Sequence, residues 1–162
     1  MDRVPRCPEL RDFLDKHGFS KYAFGQIEIL RLNSKGITEL PSCGFTDLHN
    51  LKMLCLYDNE LTSFPPGGLG ILPKLERLFL QSNKFVTIPE YIGYMPNLEC
   101  LDLSNNKLMC LPESIGEYNS LNRIYLYDNN FRYIPETIMN LKCIHYTFKE
   151  LEDVLLEKET VK

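Results

Sequence analysis

A leucine pattern that recurs every 23 or 24 residues constrains this chain more than any other feature of its sequence. In residues 98–108, leucines occupy relative positions 1, 4, 6 and 11, and Asn106 occupies position 9. Leu101 and Leu103 alternate as they would in a short strand with one buried face, but the full spacing fits neither a helix nor a strand. A fixed period of about 20 to 50 residues is typical of stacked repeats. The pattern divides the chain into five repeats, which are residues 27–50, 51–74, 75–97, 98–120 and 121–143.

Each repeat after the first carries an asparagine at position 9, where the chain turns inward after the predicted strand. An amide can both donate and accept hydrogen bonds, so we expect it to satisfy backbone groups of its own turn and of the adjacent one. The first repeat has Lys35 in this place, and its turn is therefore expected to be irregular and to depend on Asn33 or Ser34. The predicted ladder consists of Asn59, Asn83, Asn106 and Asn129.

The motif LxxLxLxxNxL resembles the leucine-rich repeat family over residues 27–143. Residues 111–116, LPESIG, are similar to the LPxxIG subclass, which includes cytosolic Ras-signalling scaffolds and plant intracellular Ras-group proteins. The resemblance implies an α/β solenoid, a right-handed superhelix with a short parallel β-sheet on its concave face. It also implies a non-catalytic module for protein–protein interaction, such as an adaptor, scaffold or regulator in signalling.

Both ends of the chain depart from the repeat and are predicted to be helical caps. In the N-terminal cap, residues 1–26, Leu10, Phe13 and Leu14 have helical spacing downstream of Pro8. Residues 144–162 are expected to form a C-terminal cap, with a helix from about residue 148 to 158 and a polar tail. Such caps cover the core and the strand edge that a terminal repeat would otherwise expose.

The strand positions that are not leucine form the candidate binding surface, because positions 3, 5, 7 and 8 should face solvent on the concave sheet. Aromatic residues, methionine and arginine are enriched at binding interfaces, although aromatic residues in strands also reflect β-propensity. We expect Phe79, Tyr125 and Arg77 to anchor a partner, with Arg123 and Asp102 fixing its orientation. The candidate protein-binding residues are Met53, Tyr57, Arg77, Phe79, Asp102, Arg123, Tyr125 and Tyr127.

The fourth repeat carries small side chains at the outward strand positions. Cys100, Asp102 and Ser104 lie between bulky Phe79 on one side and Tyr125 and Tyr127 on the other. The sequence therefore predicts a shallow groove with an aromatic wall on each side. Asp102 would be available there to a hydrogen-bond donor of the partner.

Catalysis is not predicted, and neither a cofactor nor a metal is expected. Cys55 and Cys100 are expected to be exposed on the concave face, but none of the three histidines belongs to the neighbouring strands. Residues 143–145, Cys-Ile-His, supply two possible metal ligands, which are too few for a structural site. No triad or nucleotide motif is present. A thiol-dependent enzyme is the distant alternative.

Net charge and the pattern of cysteines limit the classes of partner and the cellular compartment that we expect for this chain. The net charge of −4 argues against a nucleic-acid surface, and no apolar run approaches the length of about 18 residues that a membrane helix needs. With no secretory signal and no CxxC pair, the six cysteines are expected to be free thiols in the cytoplasm or the nucleus. We therefore expect a monomer that binds another protein or a peptide. A structural subunit that self-associates through a cap is the alternative.

Overall fold

The computed structural model describes residues 8–19, 24–65, 69, 72–117 and 120–141. Within them, five short strands form one parallel sheet whose strand order follows the chain. The central residues of successive strands are in register and are fully buried, so the predicted leucine-rich-repeat solenoid is confirmed. The strands are β1 (Ile29–Arg31), β2 (Met53–Cys55), β3 (Arg77–Phe79), β4 (Cys100–Asp102) and β5 (Arg123–Tyr125).

One continuous hydrophobic core fills the inside of the coil, since each repeat buries its leucines against those of its neighbours. Helix α1 (Pro8–Lys16) packs on this core with Leu10 and Leu14, as the N-terminal spacing predicts. No helix in the described ranges has the length and apolar character required to cross a bilayer. The predicted C-terminal helix lies outside the described residues.

Each ladder asparagine joins its own repeat to the preceding one. The Asn106 amide nitrogen donates to the carbonyl oxygens of Leu103 in its own turn (3.1 Å) and of Leu80 in the preceding repeat (3.0 Å). Its amide oxygen accepts a hydrogen bond from the Phe85 N–H at 3.1 Å. Asn59, Asn83 and Asn129 make equivalent contacts, and all four side chains are buried.

The first turn is regular, and the expectation that Lys35 would disturb it is wrong. The oxygen of Asn59 accepts hydrogen bonds from the N–H groups of Lys35 (3.1 Å) and Ile37 (3.0 Å). Each ladder asparagine satisfies backbone groups in the turn of the preceding repeat, so the first turn does not require an asparagine of its own. The backbone of Ser34 has a φ of 54°, close to the values of the equivalent residues Asp58, Ser82, Asn105 and Asp128.

The convex side is built from short 3₁₀ turns, which are Phe24–Gln26, Phe45–Asp47, Glu90–Ile92, Glu113–Gly116 and Glu136–Asn140. Extended prolines precede the last three of these turns and fix the direction in which the chain enters them. Successive turns pack so closely that a Cβ atom on Gly116 would lie 1.9 Å from the backbone oxygen of Thr137. Glycine at this position therefore permits the stacking of the fourth and fifth repeats.

One cysteine contradicts the prediction of six free thiols. Cys43 takes part in a disulfide bond, whereas Cys55, Cys100 and Cys110 are free. Cys43 follows Ser42, whose N–H and hydroxyl donate to the Glu9 carboxylate of α1 at 3.2 and 2.6 Å. A disulfide depends on the distance between two residues in the folded chain, which the cysteine spacing in the sequence did not reveal.

Candidate functional site

Residues at the same repeat position lie side by side across the concave sheet. Strand register aligns Arg77, Cys100 and Arg123 in a first row and Phe79, Asp102 and Tyr125 in a second. Backbone hydrogen bonds from Ser82 to Ser104 (3.1 Å) and from Asn105 to Tyr127 (3.0 Å) continue the alignment beyond the strands. The third row is therefore Gln81, Ser104 and Tyr127. We call these nine residues the central groove.

The fourth repeat forms the floor of the central groove. Cys100 is 8% exposed and Ser104 is fully buried, whereas Arg77 and Arg123 on the two sides are exposed. Tyr127 is 38% exposed on the wall that the fifth repeat contributes. The centre of each row is thus lower than its flanks, because its side chain is shorter than both neighbours.

The expectation that Cys55 and Cys100 are exposed is wrong. Cys55 is 5% exposed, and the register places it between Arg31 and Phe79, just as Cys100 lies between Arg77 and Arg123. Strand alternation predicts the face on which a side chain lies, but a short thiol between two long neighbours is covered by them.

Asp102 is held in one orientation by a residue of its own repeat. Its Oδ1 accepts hydrogen bonds from the backbone N–H of Ser104 at 3.0 Å and from the Ser104 hydroxyl at 2.6 Å. Both partners are two residues further along the chain, so the contact is local and does not depend on a ligand. The carboxylate is therefore a fixed negative charge at the centre of the groove.

The concave thiols are in their neutral form at neutral pH. Burial raises the pKa of Cys100, and the Asp102 carboxylate raises it further, against the smaller opposing effects of Arg123 and Arg77. Burial likewise raises the pKa of Cys55, against the effect of Arg31. Since the thiolate is the reactive form, both thiols are weak nucleophiles.

The structure places two of the three histidines away from the concave strands. His17 follows α1, and burial is the main cause of its lowered pKa, with Lys16 and Lys35 adding to the effect. His49 follows a convex turn, where its Nδ1 lies 3.0 Å from the Asp47 carbonyl oxygen. The third, at position 145, lies outside the described residues. In the described part of the chain, no three histidine, cysteine or acidic side chains are grouped as metal ligands.

Six of the eight predicted binding residues lie in the central groove. Met53 and Tyr57 belong to the second repeat, where both are half-buried beside the wall that the third repeat contributes. Gln81 is absent from the predicted set, yet its amide oxygen is buried and has no hydrogen-bond partner among the described residues. Its place at position 7, beside Tyr57 and Ser104, is the signal that could have identified it.

Comparisons with known proteins identify the repeats and the fold. Two family models described as leucine rich repeat match residues 25–85 and 97–118. No curated protein sequence matches the chain. Among solved structures, a leucine-rich repeat protein of Leptospira interrogans is 33% identical with a TM-score of 0.68, over 82% of this chain and 35% of that protein. This chain thus spans about a third of the Leptospira protein.

Two ectodomains from Arabidopsis thaliana are also similar. The leucine-rich repeat ectodomain of the receptor kinase SOBIR1 is 30% identical with a TM-score of 0.60, and the match covers 72% of this chain and 66% of that one. The ectodomain of GASSHO1/SCHENGEN3, solved in complex with Casparian strip integrity factor 2, is 23% identical with a TM-score of 0.54. That match covers 75% of this chain and 18% of the receptor, and it shows a common fold alone.

Proposed function

We propose, on the premise that this chain belongs to the leucine-rich repeat family, that it binds a protein or peptide partner on the concave face of its sheet. Repeat proteins use their concave faces in this way because the sheet presents a long row of outward side chains on a rigid frame. The observation that carries the proposal is the central groove. Its walls carry three aromatic residues and two arginines, above a floor that is buried or half-buried.

The residues of the groove have different roles in this proposal. Phe79 and Tyr125 are the anchors, since each is a half-buried aromatic ring at the same level of the sheet, on opposite sides of Asp102. Arg77 anchors a polar group of the partner, and Arg123 and Asp102 fix the partner's orientation. The Asp102 carboxylate is suited to this because Ser104 already holds it in place.

The role in the cell is a narrower proposal, supported by the LPxxIG resemblance. We place the chain among adaptors, scaffolds or regulators of signalling, including regulators that cover the surface of an enzyme. A cytoplasmic or nuclear location stays a prediction. That prediction relied on six free thiols, and the disulfide at Cys43 argues against it because disulfides persist mainly in oxidising compartments.

Affinity capture with the full chain tests the proposal. The variant carries Phe79→Ala and Tyr125→Ala, and the control carries Val86→Ala and Met139→Ala, which replace exposed apolar residues outside the groove. Each anchor substitution is expected to cost about 2 kcal/mol of binding free energy, so captured partners should be lost from the variant and kept by the control. Partners that bind both proteins with unaltered affinity would show that the concave face is not the binding surface.

A further inference from the structure

Two exposed arginines, Arg77 and Arg123, lie at one end of the central groove. Among the described residues, ion pairs join Lys52 to Glu28 and Lys84 to Glu60, and neither Arg77 nor Arg123 takes part in one. Both arginines are exposed and flank the buried Cys100 directly across the sheet. Two guanidinium groups are therefore available at this end, on a chain whose net charge is −4.

The next row reverses the sign of the charge. Asp102 lies between Phe79 and Tyr125, two residues further along the strand than Cys100. A negative group that entered this second row would meet the fixed Asp102 carboxylate, whereas in the first row it would meet Arg77 and Arg123. The first row therefore favours an acidic side chain of a ligand, and the second row favours an apolar one.

The spacing of the rows matches an extended chain. The rows follow one another every second residue of β4 and of its continuation, and alternate residues of an extended peptide repeat at the same distance of about 6.6 Å. From Cys100 to Ser104 the groove is about 13 Å long, which corresponds to four residue steps of extended peptide. A ligand strand that runs along β4 would therefore direct every second side chain into the groove.

We infer that the central groove binds an extended acidic segment of a partner protein. An Asp or Glu side chain of the partner lies between Arg77 and Arg123, above Cys100. A large apolar side chain, separated from the acid by one intervening residue of the partner, packs between Phe79 and Tyr125. Arginine binds carboxylates through paired charge-assisted hydrogen bonds, and the Asp102 carboxylate prevents the segment from shifting by one row. The inference rests on the proposed concave binding function and specifies the chemistry of the partner.

A display library of random linear peptides, selected on the full chain, tests the inference. Peptides selected by the unaltered protein should be enriched in Asp or Glu separated by one residue from a large apolar residue. The variant with Arg77→Gln and Arg123→Gln should lose this enrichment. A matched control, Arg132→Gln, replaces an exposed arginine outside the groove and should keep it. Melting curves of all proteins confirm that the exposed substitutions leave the fold intact.

A selected peptide and its Asp→Asn or Glu→Gln form then test the contact itself. On the unaltered chain, the neutral peptide should bind about tenfold to a hundredfold more weakly, as is typical of a lost hydrogen bond to a charged group. On the double arginine variant, the two peptides should bind almost equally, which is the signature of direct coupling. Affinity for the acidic peptide should also fall with added salt more steeply than affinity for the neutral one.

The possible failures are distinguishable. Selected peptides without acidic enrichment, or with equal acid dependence on both proteins, would overturn the acidic-segment inference. If such peptides still lost binding to the Phe79→Ala, Tyr125→Ala variant, the concave binding function would stand. Peptides insensitive to both sets of substitutions would refute the inference and the proposed function together. A selection that yielded no binder would also refute the inference, because an open peptide groove should retain some sequences.

Discussion

Replacing Asn106 with alanine tests how hydrogen bonds join neighbouring repeats. Its amide oxygen accepts from the Phe85 N–H at 3.1 Å, and its nitrogen donates to the carbonyl of Leu80 at 3.0 Å, both in the preceding repeat. Phe85 and Leu80 are fully buried, so water has no direct access to their backbone groups. The Leu80 carbonyl keeps a hydrogen bond from the Asn83 amide at 3.0 Å, so of these two groups only the Phe85 N–H is left unsatisfied. An unsatisfied buried N–H costs about 2 kcal/mol, and this is the loss expected in the free energy of unfolding.

Urea denaturation measures this loss, with Asn130→Ala as the control. Asn130 is the exposed neighbour of the ladder residue in the fifth repeat, and its replacement should change the free energy of unfolding by less than about 0.5 kcal/mol. A loss below about 1 kcal/mol for Asn106→Ala would refute the reasoning, since one unsatisfied buried group alone exceeds that value. An equal loss for the control would refute it as well.

The Asn106→Asp variant adds a dependence on pH. Its carboxylate can accept from Phe85 but cannot donate, and it would face the carbonyl oxygens of Leu80, Leu103 and Ser104. Desolvation and these oxygens should raise the pKa of the introduced carboxyl above the ordinary aspartate value of about 4. A raised pKa means that the folded state holds the proton more tightly. The variant should therefore be closest to the unaltered chain near pH 4 and should lose stability as the pH rises.

Four further outcomes are expected. Lys35→Asn should leave the free energy of unfolding within about 0.5 kcal/mol, because an amide there has no earlier coil to join, and a large gain in urea denaturation would contradict this. Gly116→Ala should lower the free energy of unfolding by about 3 kcal/mol, because its Cβ would clash with backbone atoms of the next turn. Gly25→Ala would meet only the His49 side chain and should lower it by less than about 1 kcal/mol; equal losses in the same denaturation assay would contradict the packing argument. A thiol titration under denaturing, non-reducing conditions should count at most four of the six cysteines, given the disulfide at Cys43, and a count of six would exclude that bond. Burial raises the pKa of Tyr91 to about 12, so ultraviolet titration should show a late-titrating tyrosine that Tyr91→Phe removes. Stability should decline as the pH rises from 10 through 12, and an unchanged titration curve for the variant would refute the assignment.

The repeat itself could be predicted from the sequence because its chemistry is local. A leucine at alternate positions indicates the buried face of a strand, as Leu101 and Leu103 show. An asparagine after the strand can hydrogen-bond to backbone groups of its own turn and of the neighbouring repeat. This chemistry predicted the turn at Asn106, and the side chain is buried there. The helical spacing of Leu10 and Leu14 likewise identified α1. These features recur with the period, so each copy strengthens the interpretation of the others.

The tertiary structure decided what depends on neighbours from other repeats. Cys100 is buried because the side chains on either side, across the sheet, are longer than its own. The first turn is regular because Asn59 reaches back to it from the second repeat. Cys43 is oxidised, although no sequence pattern indicated a pair. The leucines of each repeat determine its strand and its buried face. The depth of the groove and the arrangement of its charges depend on side chains that different repeats place next to one another.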